Sequence, residues 1–411
     1  MNVRLKLSLA ALCFTLPAMA SAQAAAPAAA PAAAPAAAPA LEIKPYGFAL
    51  LTMNQTDGTF AYPEYPGLKT ASEAGHYNHF SARQSRFGVN VANADGGVTG
   101  AKLGGKFEFD FMGSIAGTDG DATPTKLSAT AGSWDSVIPR LRYFYGQANW
   151  EVGDCNFALT AGQTDGLVAP LHPELGAYIA LPTFMQAGNL TRRSPQIRAG
   201  YSTKLGDFGL TVEAAALNAA DAGGVNNSAG NSSGQPDYEA RIQGKIKIAE
   251  VSATVGVAGH VNERVYNART ATQQNLTSSV IGVDANIEAT KYLNVRGEWY
   301  TSKGGEESYS GAFSGTNGAA GSLKLKESNG FWAQAVVKPV PVLWVMAGYG
   351  QSTLDGFAGA SDTTNSMINL GVLSNVSKNW RLGLEYTIVK VDAGATDVKG
   401  SELALSSRFS F

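Results

Sequence analysis

Cysteine is almost absent from this 411-residue chain, which has only two. Cys13 sits in the first apolar stretch, so Cys155 alone remains in the body of the protein, and neither an internal disulfide framework nor a cysteine-built zinc cluster is available. Charge is sparse, at 16% of residues, and nearly balanced, with a formal net charge of −2. Such a balance gives no basic surface for nucleic acid. After the first residues no apolar run is long enough for a membrane-spanning helix, which needs about 18 residues or more. Histidine is scarce too. His76, His79, His172 and His260 are the only four, and none lies in a Ser/Asn or Asp partner motif of a hydrolase. His76 and His79 have a loop-compatible metal spacing but no cysteine near them. No glycine-rich phosphate loop follows a strand and opens a helix. These absences exclude most enzymes, and no catalytic, cofactor or metal site is expected.

What is present begins with "MNVRLKLSLAALCFTLPAMASAQ". Arg4 and Lys6 precede an apolar run, Leu7 to Leu16, that is short for a membrane span. Pro17 and small residues follow. This is the pattern of a secretory signal peptide over residues 1–22. Lipidation of Cys13 is disfavoured by the large Leu12 before it and the apolar Phe14 after it. Removing residues 1–22 takes away two basic residues and leaves a charge of about −4. Residues 23–41 then repeat Ala-Ala-Ala-Pro. A proline at every fourth position breaks a helix, so the segment is expected to be an extended periplasmic spacer, reaching on the order of 50 Å at ~3.1 Å per residue.

From residue 42 onward alternation dominates. In "GKFEFDFMG" (105–113), Phe107, Phe109 and Phe111 alternate with Lys106, Glu108 and Asp110. On a strand this places aromatics on one face and charges on the other. "ARQSRFGVNV" (82–91) sets Phe87, Val89 and Val91 against Gln84, Arg86 and Asn90. "VIPRLRYFYGQ" (137–147) sets Leu141, Tyr143 and Tyr145 against Arg140 and Arg142. "DYEARIQGKIKI" (237–248) sets Tyr238, Ile242 and Ile246 against Glu239, Arg241 and Lys245. The final "ELALSSRFSF" sets Leu403, Leu405, Phe409 and Phe411 against Glu402, Ser406 and Arg408. One such strand suits a soluble sandwich. Many of them on an exported chain suit a barrel with lipid outside and water inside, the other structure that can span a bilayer.

The connections alternate in length. Short turns are expected near 93–100, 152–156, 204–209, 249–250, 289–292, 338–341 and 375–379. Longer polar loops are expected near 54–79, 113–136, 165–192, 218–236, 262–277, 303–326, 352–362 and 391–398. Seven short turns and eight long loops imply about 16 strands. The fold class is therefore all-β, a transmembrane antiparallel barrel over residues 42–411. A barrel of that size encloses water rather than a packed core. A strand that ends on an aromatic such as Phe411 fits a last strand that pairs with the first.

"ARQSRFGVNV", "KFEFDFMG", "PRLRYFYGQ", "LTAGQTDGLVAPLHPE" and "RRSPQIRAGY", in that order, resemble Gram-negative outer-membrane porins, most of all the DcaP-like branch. The chain departs from that branch at Asp165, where tryptophan is common, and in having the Ala/Pro spacer in place of a coiled coil. The resemblance implies a homotrimer of 16-stranded barrels with a constriction loop after strand 5 folded inward. That loop, about 165–192, is unusually apolar, with Leu167, Val168, Leu171, Tyr178, Ile179, Leu181 and Phe184. Expected pore-lining residues are Arg86, Lys106, Glu108, Asp110, Arg140, Arg142, Arg192, Arg193 and Arg198, with Asp165 and Glu174 as counter-charges on the loop. Rings of arginine favour anions. The expected function is passive diffusion of small hydrophilic solutes, favouring anions such as carboxylates. A structural envelope protein or adhesin is the alternative. The expected partners are outer-membrane lipid and lipopolysaccharide, with peptidoglycan reached through the spacer.

Overall fold

The computed structural model describes residues 41–58, 60–62, 65–68, 75–113, 139–219, 229–309, 316–356, 361–394 and 397–411. The signal peptide and nearly all of the Ala/Pro spacer lie outside the described residues. Sixteen strands form one closed antiparallel barrel. They are β1 (Glu42–Asp57), β2 in two segments (His76–Ser81 and Arg86–Asp95), β3 (Lys102–Asp110), β4 (Arg140–Val152), β5 (Cys155–Asp165), β6 (Arg193–Leu205), β7 (Phe208–Leu217) and β8 (Asp237–Ile248). The other half comprises β9 (Val251–Tyr266), β10 (Gln274–Thr290), β11 (Leu293–Lys303), β12 (Glu327–Val340), β13 (Leu343–Leu354), β14 (Thr363–Asn375), β15 (Trp380–Asp392) and β16 (Asp397–Ser410). Among the described residues no helix is long and apolar enough to cross a membrane.

Each strand pairs with its sequence neighbour, and β1 closes on β16 from Phe48 opposite Ser410 to Asp57 opposite Ser401. Backbone bonds between Gly47 and Phe411, at 3.2 and 3.0 Å, extend that seam. Closure leaves the sheet without an unpaired edge. Short and long connections alternate as the sequence predicts except at the last, where only residues 393–396 join β15 to β16, no more than the four (376–379) between β14 and β15.

Burial is inverted relative to a water-soluble domain. Outward positions are apolar and exposed, including Leu51, Ile242, Ile281, Trp299, Leu370 and Leu405. Inward positions are polar and buried, including Asn54, Glu108, Asp110, Arg142, Glu298, Glu385 and Glu402. Phe107 and Phe109 pack edge-on and tilted against Phe87, Phe111 and Phe144 on the outer face. The charges of the same strand point inward.

The sequence-based faces of β4 need one correction. Tyr143 and Tyr145 are not on the outer face with Leu141. Between Glu108 and Phe109 the register with β3 shifts, so that Glu108 stands opposite Tyr143 and Phe109 opposite Leu141. This β-bulge inserts one residue and reverses the alternation beyond it. Arg142 and Tyr143 both turn inward, Phe144 turns out at 60% exposure, and Tyr145 turns in.

Candidate pore site

Two carboxylates and four cations meet where β2, β3 and β4 run side by side. Asp110 takes a two-pronged bond from Arg140, Nε to Oδ1 at 2.9 Å and Nη2 to Oδ2 at 2.5 Å. Arg142 donates to Glu108 at 2.7 Å and to Asp110 at 3.0 Å. Arg86 approaches Glu108 Oε1 at 3.8 Å and Lys106 approaches Oε2 at 3.7 Å, and the Tyr46 hydroxyl also donates to Oε2 at 2.9 Å. The carboxylates are buried behind the guanidinium groups, and Arg140 is the most exposed of the set. Charge-assisted forks of this kind hold a planar cation in one orientation. The cluster carries four positive charges against two negative ones.

Tyr143, turned inward by the bulge, joins this cluster to the next. Its ring lies under Lys106 at 4.2 Å and Arg193 at 4.8 Å, within cation–π range. Its hydroxyl donates to Asp165 at 2.5 Å. Asp165 pairs with Arg193 at 3.0 Å, and His172 Nε2 stands 3.9 Å away. Arg408 from β16 and Arg86 both lie over the ring of Phe48, 5.5 and 5.6 Å from its centre. A cavity of about 460 Å³ opens between this wall and residues 172–193, lined by Arg86, Arg140, Arg142, Arg193, Arg408 and Glu174 among others.

Residues 166–192 contact β8 to β12, β15, β16 and the break in β2 in three ways. Apolar side chains meet apolar wall residues: Phe184 stacks on Trp332 with 5.7 Å between ring centres, Val168 and Leu190 meet Ala258, Val280 and Tyr300, and Tyr178 meets Ala404. Fully burying a side chain such as Phe184 contributes about 1.5–3 kcal/mol. Backbone N–H groups donate to wall carboxylates: Leu171 to Glu298 at 2.6 Å, and Gly176 and Ala177 both to Glu385 at 2.7 and 2.6 Å. Leu167 donates likewise to Glu239, and the Tyr178 hydroxyl donates to Glu402. Burial, with the Glu402 and Glu385 charges beside it, raises the Tyr178 phenol well above its ordinary value. Finally, Gln84 grips the segment from the break in β2, donating to Ala177 O at 2.7 Å and accepting from Ala180 N at 3.0 Å.

Three expected site residues find their charged partners outside the β2–β4 cluster. Arg192 is buried and pairs with Asp237 at 2.6 Å, apart from the β2–β4 cluster. Glu174 faces Arg381 at 3.3 Å and Arg296 at 3.9 Å, on β15 and β11. Arg198 lines a smaller cavity of about 130 Å³ with Tyr145 and Glu213, 3.6 Å from the Glu213 carboxylate. Sequence reasoning did not single out Tyr143, Arg381, Arg408, His172 or the wall glutamates. Arg408 was visible as an inward residue of β16. Tyr143 was hidden by the bulge.

Solved structures share this barrel fold. The outer-membrane channel DcaP of Acinetobacter baumannii aligns over 90% of this chain and 97% of its own, at 20% identity and a TM-score of 0.66. The fold is that of an outer-membrane porin. Salmonella typhi OmpF, in complex with daunomycin, shares this porin fold over 90% of this chain and 97% of its own at 11% identity, TM-score 0.54. Pseudomonas putida OprB does so over 89% and 94% at 10% identity, TM-score 0.53. No protein-family model and no curated protein sequence matches the chain.

Proposed function

We propose that this porin-fold chain forms a water-filled outer-membrane channel for small hydrophilic solutes, with a preference for anions such as carboxylates. The observation that carries the preference is the charge surplus at the cavity. Arg86, Lys106, Arg140 and Arg142 answer only Glu108 and Asp110, and the three arginines line the cavity whereas the two acids do not. In a narrow, partly desolvated passage such a surplus acts more strongly than in bulk water. In this reading residues 166–192 cross the lumen and narrow it, which the ring of contacts from β8 round to β2 supports. Export by a cleaved signal peptide and assembly as a homotrimer belong to the same proposal, supported by the basic-then-apolar start of the chain and by the fold. Purified protein in a planar bilayer tests it. Steady open-channel current with a reversal potential on the anion side under a salt gradient is expected. Absence of open current overturns the channel. A cation-side potential overturns the preference alone.

A further inference from the structure

The geometry points to a proton-controlled latch at His260 that ties both ends of the 166–192 segment to β8. The two ends meet through a backbone bond from Gly166 N to Arg192 O at 3.0 Å. Just beyond that junction, Leu167 N donates to Glu239 and Arg192 pairs with Asp237 at 2.6 Å. His260, on the adjacent strand β9, has a fully buried side chain set between the same two acids. Its Nδ1 lies 3.3 Å from Glu239 Oε1, and its Nε2 lies 3.9 Å from Asp237 Oδ2.

The remaining neighbours can be named element by element. Tyr309, from the segment after β11, donates its hydroxyl to Glu239 at 2.8 Å and packs edge-on against the imidazole at 5.3 Å. Arg264, further along β9, turns to Ser308 at 2.8 Å. Opposite His260 on β10 is the apolar Val280. Two carboxylates thus face the imidazole, and one guanidinium, that of Arg192, is paired with the Asp237 carboxylate. His260 Nε2 and Asp237 Oδ1 have no hydrogen-bond partner among the described residues. A proton on Nε2 gives that nitrogen a donor aimed towards Asp237 and brings the four-group cluster to neutrality. Without it, a bare nitrogen faces a carboxylate and a negative charge is left over in a buried site, where an unbalanced charge is expensive.

The latch therefore holds when His260 carries its second proton and loosens when that proton leaves. Its bearing on conduction rests on the reading of residues 166–192 as the constriction. Hydrogen exchange by mass spectrometry tests it on the folded protein in lipid, from about pH 5 to about pH 9, following peptides from 166–192. An unstructured peptide of the same sequence calibrates the chemical pH dependence. Wild-type protection is expected to fall as pH rises. His260→Gln should be unprotected throughout, and Asp237→Asn, which removes both a counter-charge of the imidazole and the partner of Arg192, should show no pH step. Constant wild-type protection, or a wild-type pH step surviving in either folded variant, overturns the latch. If His260→Gln does not fold, Asp237→Asn decides. Bilayer current recorded on the same preparations separates the two ideas. A conducting protein with flat exchange ends the latch alone, whereas a non-conducting protein with the pH step ends the channel alone.

Discussion

Glu385 shows how much one inward side chain does in this barrel. A single carboxylate oxygen accepts two consecutive backbone N–H groups, Gly176 and Ala177. Glu385→Leu strands both in a buried site and is expected to destabilise by about 1–3 kcal/mol per orphaned amide. Glu385→Gln keeps an acceptor oxygen and should be close to neutral. Urea unfolding in lipid vesicles compares them, and equal stability of the two variants refutes the assigned role. Tyr178 gives a prediction with a sign. Its phenol is raised in the folded protein, so the folded state favours the neutral form. Its contribution is complete below the unfolded value of about 10 and is lost as pH rises above it. Stability should therefore fall in strong alkali by more than in Tyr178→Phe, measured as the difference between the two unfolding curves. None of this was legible residue by residue in the sequence. Glu239, Glu298, Glu385 and Glu402 sit at inward positions like any lumen charge, and only the folded chain shows which of them meets a backbone amide.

Strands were the most legible level, because lipid outside and polar groups inside write a period of two into every one of them. β8 and β16 follow it to the residue. β4 does not, because one bulged residue shifts the phase and nothing in "PRLRYFYGQ" marks where. Strict alternation from Leu141 would put Tyr145 in lipid and Phe144 inside, and the structure has the reverse. Phe144→Arg is therefore expected to lose about 2–4 kcal/mol if it lies near the bilayer midplane, while Tyr145→Arg should fold nearly as well as wild type. Refolding yield into liposomes and urea midpoints check this. The opposite order of tolerance would restore the unbulged register. The break in β2 is a second departure from strict period two. Residues 82–85 leave the strand, and Gln84 is thereby free to reach Ala177 and Ala180.

At the scale of the whole barrel, the arginine cluster lets the proposed selectivity be tested together with stability. Neutralising Arg140 and Arg142 together leaves Glu108 and Asp110 buried without their forks. Removing one side of a buried pair typically costs about 3–5 kcal/mol. The double variant Arg140→Gln, Arg142→Gln should be less stable and shifted towards cations, most clearly at low salt, where screening is weakest. Adding Glu108→Gln and Asp110→Asn restores the two-charge surplus, so it should recover much of the stability and bring the reversal potential back towards wild type. An unshifted potential in the double variant would mean that these arginines are structural only. The pore site was thus partly legible: the inward row of arginines and acids could be read along each strand, but which acid answers which arginine is set by register across strands. The seam between β1 and β16 has a consequence in time. Phe48 and Ser410 are about 360 residues apart in sequence yet adjacent in space, and joining ends so distant has an entropic cost of about 5 kcal/mol by the logarithmic law of loop closure. Contacts between neighbouring hairpins carry far smaller costs and can form early, so the seam should close last. Until it does, β1 and β16 are two bare strand edges able to pair with any extended chain, and the growing sheet is most open to mispairing just before the barrel is complete.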